Sequence, residues 1–157
     1  MSDSPVPILP YRRAGRGPAL VLVHGYLGGS SQWLAEIERL RLIFDVIAVD
    51  LAGYGDARHL TSPKSIAAHA QSVLKTLDQL GIQNFHLLGH SMGGKVAMQV
   101  AKQAPARVGR LVVADIAPVA YPHARHQNVF AGLNATLANP PQSRAEAEAL
   151  LAQYVEI

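Results

Sequence analysis

The chain has 157 residues, 49% of them hydrophobic and only 16% charged, below the ~25% usual in soluble domains, so it holds enough apolar material for one sizeable core. With a formal net charge of +3, Arg12, Arg13, Arg16, Lys64, Lys75, Arg107 and Arg110 scattered and no aromatic-interleaved basic stripe, no nucleic-acid partner is expected. The absence of cysteine excludes disulfides and thiolate metal sites, and no apolar run is long enough to span a bilayer.

Residues 1–10 carry Pro5, Pro7 and Pro10 and no basic-then-apolar signal pattern, so an extended entry and a cytoplasmic location are expected, with no membrane partner. Tyr11 to Arg13 fit a short edge strand before the Gly15-Arg16-Gly17-Pro18 turn. Ala19 to Val23 is an unbroken aliphatic run, as a central parallel strand requires, and it opens into His24-Gly25-Tyr26-Leu27-Gly28-Gly29. A helix capped by Ser30 or Ser31 should follow, with Trp33, Ile37 and Leu40 on one face. Phe44 to Val49 is the next buried strand, and Asp50 after it is expected to organise its glycine-rich turn rather than to catalyse. Ser62-Pro63 should open a crossover helix with Ile66, Ala70, Val73, Leu77 and Leu80 inward, His69 on the surface and Gly81 as the stop.

The chemistry concentrates in Gly89-His90-Ser91-Met92-Gly93-Gly94, between the apolar run Phe85 to Leu88 and an Ala/Val/Met-rich segment. A strand, a sharp turn and a helix with serine at the apex place its hydroxyl above the sheet edge, because flanking glycines let strand and helix approach closely. The backbone N–H of Met92 then starts a helix, where unpaired donors favour a developing oxyanion, and that of Tyr26 is the expected second donor. Two other meanings of the glycines stay open. A structural turn needs no chemistry at all, while Gly89, Gly94 and Lys95 also fit a phosphate loop, although Val96 stands where that loop needs Ser or Thr.

Leu111 to Ala114 make a further strand ending at Asp115. The repeated alternation of strand and helix predicts an α/β fold with a doubly wound, mostly parallel sheet. Beyond it, Val129, Phe130, Leu133 and Leu137 line one helix, Asn139-Pro140-Pro141 breaks it, and Ser143 with Glu146 form a capping box before Leu150, Leu151 and Tyr154. The expected division is a core over 1–117 and the start of a helical cap over 118–157.

In their order, His24-Gly25-x-x-Gly28, Asp50-x-x-Gly53-x-Gly55 and the Ser91 hexapeptide resemble the α/β-hydrolase superfamily. More narrowly, Gly93 to Met98, Asp115-Ile116-Ala117-Pro118-Val119 with Tyr121, and Ser143-Arg144 with the Ala/Glu alternation after it resemble YbfF-type acyl-ester hydrolases. The resemblance implies the α/β-hydrolase fold, a serine esterase without metal or organic cofactor, and a small-molecule acyl ester as substrate. It puts the nucleophile on Ser91, the triad acid on Asp115, and the oxyanion hole on the backbones of Tyr26 and Met92. Thioesterases, carbon-carbon bond hydrolases and the menaquinone-pathway lyase share the serine and stay open.

In these hydrolases the histidine follows the acid, after the cap and two further strands. Here only His123 and His126 follow Asp115, and they align with the start of the cap. The expectation is therefore a fold incomplete at its C-terminus, a weakly active or inactive chain, and self-association through an exposed sheet edge. A non-catalytic, hydrolase-like fragment that binds a ligand or partner chain is the competing class.

Overall fold

A computed structural model describes residues 5–122 and 126–155. Residues 1–118 and 119–157 form two compact units.

The first unit is a five-stranded mixed sheet. Its strands are β1 (Tyr11–Ala14), β2 (Ala19–Val23), β3 (Asp45–Val49), β4 (Phe85–His90) and β5 (Val108–Ala114), in the spatial order β1-β3-β2-β4-β5. β1 runs antiparallel to β3 at one edge, and the other pairs are parallel. The helices of this unit are α1 (Leu34–Leu40), α2 (Ile66–Gln79) and α3 (Met92–Gln103).

The pleat explains the layering. Val21, Val23, Ile47 and Val49 point to one face and pack with Ala70, Val73 and Leu77 of α2 and Val96, Ala97 and Val100 of α3. Leu20, Leu22, Val46 and Ala48 point to the other face and meet Trp33 and Ile37. Both sides of the central strands are therefore dry, which is why these strands read as continuous aliphatic runs rather than alternating ones.

β5 begins at Val108, three residues before the expected Leu111, and two helix starts also differ from expectation. A 3-10 turn over Ser30–Trp33 precedes α1, and no side chain caps either. The Ser30 hydroxyl is engaged elsewhere, donating to Asp50. α2 begins three residues after Pro63, with Ser65 as its cap: the Ser65 hydroxyl accepts from the Ala68 N–H at 3.2 Å. Its end follows the expected logic, because Gly81 at φ 70° lets the Ile82 N–H reach the Leu77 carbonyl and its own N–H reach that of Asp78.

The second unit contains α4 (Gln127–Ala138) and α5 (Arg144–Leu151). They touch where Gly132, buried on α4, faces Leu151 and Tyr154. Ser143 caps α5 by accepting from the Glu146 N–H, and the Glu146 carboxylate accepts from the Gln142 N–H, one residue before the position a capping box uses. No helix among the described residues is long and apolar enough to cross a membrane.

Candidate active site

Because β2, β3, β4 and β5 are parallel, the segments after them emerge along one edge of the sheet. The chain leaves β2 towards β3 on one side and returns to β4 on the other, so β2 and β4 flank the point where the winding reverses. A crevice opens at such a point, outside the carboxyl ends of the strands. His24 to Gly29 follow β2, and Ser91 follows β4.

Ser91 is the tightest position on this edge. Its φ of 54° and ψ of −124° lie where L-residues seldom go, and its N–H donates to the Ala114 carbonyl at 2.9 Å. Its own carbonyl accepts from the Gly94 N–H, the first turn of α3. The turn closes because no Cβ is present at Gly89, where it would collide with the Gly93 carbonyl, or at Gly93, where it would collide with the carbonyls of Val23 and His24. A Cβ added to Gly25 would come within 3.1 Å of the Ser91 Cβ, so the segment leading to Tyr26 passes directly over the serine. Met92 is the first residue of α3, where backbone N–H groups have no partner within the helix. Val96 is fully buried in the core, so no hydroxyl stands where a phosphate loop would hold a metal.

The histidine and the aspartate beside this crevice have structural duties. His24 is fully buried; its Nε2 accepts from the Leu51 N–H at 3.0 Å and its Nδ1 lies 2.8 Å from the Gly25 carbonyl. One nitrogen must therefore accept while the other donates, which fixes a neutral ring protonated on Nδ1. Burial holds its pKa below the ordinary imidazole value of 6.5, against the opposing pull of the Gly25 carbonyl and Asp50. Asp50, also buried, accepts from the Ser30 N–H at 2.6 Å and the Ser30 hydroxyl at 2.9 Å, while Arg12 donates to that hydroxyl at 3.0 Å. It organises the loops, as expected from its place.

Asp115 follows β5 with φ 58° and a side chain that is 85% exposed. Its Oδ2 lies 3.8 Å from Nε2 of His90, close enough for an ion pair once His90 is protonated but too long for a hydrogen bond. Of the two histidines after it, His126 is exposed at the start of α4 and His123 lies outside the described residues.

A residue misjudged from the sequence proves to be His69. It is only 4% exposed, and its Nδ1 is buried with no hydrogen-bond partner. Its position was legible: 69 lies three after Ile66 and four before Val73, on the inward face. It stands on the wall of a cleft of about 550 Å³ lined also by Tyr26, Tyr54, Ser62, Lys64 and Met92. Within it the Tyr54 ring contacts those of His24 at 5.5 Å and Tyr26 at 6.0 Å, and its hydroxyl donates to the Met92 sulfur at 3.9 Å. The described residues include no cluster of three or more side chains able to hold a metal ion.

The profile of the alpha/beta hydrolase fold family matches residues 18–151. The chain belongs to the α/β-hydrolase family. Its relatives include Esterase YbfF of Escherichia coli K12, 35% identical over 140 residues, which covers 87% of this chain and 53% of that protein. A second is the dihydrolipoyllysine-residue acetyltransferase component of an acetoin cleaving system from Cupriavidus necator, 39% identical over 112 residues, 71% of this chain and 29% of the relative. Among solved structures, a marine microorganism esterase superposes with a TM-score of 0.82 at 27% identity, covering 95% of this chain and 59% of its own. The α/β-hydrolase chain thus spans about half the length of the esterases that it matches.

Proposed function

We propose that this α/β-hydrolase chain carries the nucleophile and oxyanion site of a serine esterase acting on small acyl esters. The supporting observation is the Ser91 backbone at φ 54°, held between β4 and α3 under the segment that bears Tyr26. The Ser91 Oγ attacks the acyl carbonyl carbon, a base takes its proton, and the carbonyl oxygen becomes an oxyanion. The backbone N–H groups of Tyr26 and Met92 hold that oxyanion without reorganising. Collapse expels the alcohol, which takes the proton back, and water then releases the acyl group from Ser91 by the same steps in reverse.

Asp115 is the acid of this triad, orienting a histidine that follows it in the chain, the order of the α/β-hydrolase family. Without that histidine, the loss of one triad member costs on the order of 10⁴ to 10⁶ in kcat. The chain as given is then a slow catalyst.

Turnover of a short p-nitrophenyl ester and labelling by a fluorophosphonate test the assignment. Slow labelling that maps to Ser91 and disappears in Ser91→Ala is the expected result. Labelling that survives this substitution, or that maps to Ser30 or Ser31, would falsify it. Binding of ligand or partner without any labelling would favour the non-catalytic class instead.

A further inference from the structure

The loop after β2 holds a residue in an unfavourable conformation that the serine turn does not explain. Gly25 to Gly28 form a tight turn, in which the Gly28 N–H donates to the Gly25 carbonyl at 3.1 Å, and Leu27 is its third residue with φ 59°. A turn with positive φ at this position normally takes Gly or Asn there, because other L-side chains crowd their own backbone. Burial does not offset the cost, since Leu27 is 58% exposed. The leucine lines the cleft beside Ser91 together with Tyr26, Tyr54 and Met92. Residues held in strained conformations cluster at active sites and ligand clamps.

We infer that Leu27 is a specificity-determining residue: its turn holds an exposed leucine against the acyl chain of the ester, and that chain is apolar. The inference rests on the esterase reading in one respect, namely that the chain belongs to a substrate of Ser91. The order of the strands decides which part of the ester meets the cleft. Leu27, Tyr54 and Met92 follow β2, β3 and β4, whereas Asp115 follows β5, on the other side of β4. The base that Asp115 orients gives its proton to the departing alcohol, so the alcohol leaves on the β5 side. The acyl chain is left with the β2 and β3 side, where the cleft lies. Tyr26, Leu27, Tyr54 and Met92 offer it rings, methyl groups and a thioether, surfaces that favour methylene groups over water. The hydroxyls and the charge of the lining, from Ser62, Lys64 and Ser65, come from the segment that leads into α2.

Fluorophosphonates that differ only in one alkyl group test this in the chain as it stands. The Ser91 oxygen displaces fluoride from phosphorus, its proton passes to solvent, and the alkyl group on phosphorus takes the place of the acyl chain. With the ethoxy group held constant, the n-hexyl probe should label Ser91 about tenfold faster than the methyl probe, and Leu27→Gly should bring that ratio below about threefold. Glycine suits φ 59°, so the variant should keep the far-UV spectrum of the parent. In the Ser91→Ala protein, methyl hexanoate but not methyl acetate should shift the Leu27 methyl signals in NMR. A ratio near one in the parent, a ratio that survives Leu27→Gly, faster labelling when the hexyl group sits on the alkoxy oxygen instead, or unmoved Leu27 methyls would each overturn the inference. Leu27 methyls that move in a protein whose Ser91 no probe labels would support the apolar site and sink the esterase reading alone.

Discussion

Ser91 holds a conformation that L-residues tolerate only under constraint, and the constraint is the contact of β4 and α3 around it. Such positions store on the order of 1–3 kcal/mol of strain. Glycine is free of most of that strain, so Ser91→Gly should raise unfolding stability by about 1 kcal/mol while abolishing fluorophosphonate labelling. A urea denaturation showing no gain would mean that the serine is not strained. His24 and His69 add a pH dependence at the same scale. Both are held by burial below the ordinary 6.5, so the unfolded chain binds protons that the folded one refuses. Stability is full above about pH 6.5 and is lost as pH falls from there through the lowered folded values. The urea midpoint should therefore drop between about pH 7.5 and pH 5, and less steeply in His24→Asn. A flat midpoint across this range would contradict the neutral ring assigned to His24.

At the scale of the element, the elbow and the α2 terminus use glycine for different reasons, and alanine distinguishes them. A Cβ on Gly93 would collide with two backbone carbonyls, that of Val23 at the end of β2 and that of the fully buried His24 after it. Overpacking with no side chain to give way should cost Gly93→Ala about 3 kcal/mol or more. Gly81 sits at φ 70° with nothing within 4 Å of an added Cβ, so Gly81→Ala meets only the backbone penalty, about 1 kcal/mol. Chemical denaturation of the two variants checks the order. Equal losses would show that the β4-α3 contact is looser than described.

The whole sheet ends in an apolar edge. β5 closes the order of the described strands, and Leu111 and Val112 on it are 40% and 52% exposed. A strand of this kind offers unpaired N–H and C=O groups beside apolar side chains, a template for another strand. We propose that isolated chains associate through it. Sedimentation at tens of micromolar should show species above the monomer, reduced by Val112→Lys, whose charge blunts the edge. A clean monomer in the parent protein would remove this expectation.

The strands β2, β3 and β4, the elbow and the stop of α2 were all legible in the residues, because each depends on local chemistry: aliphatic runs, a glycine pair, a left-handed terminator. Asp50 likewise showed its duty through the turn that it closes. What sequence spacing could not supply was the company each side chain keeps. Ser30 gives its hydroxyl to a residue twenty positions away rather than to the helix that follows it, since the buried Asp50 carboxylate takes that donor. His69 is inward because α2 lies on the dry face of the sheet beside Tyr54 and His24, and that packing buries its Nδ1 without a partner. Local pattern therefore determined the elements and the serine at the turn, while long-range packing decided which polar groups find partners within the protein and which, such as the Nδ1 of His69, are buried without one.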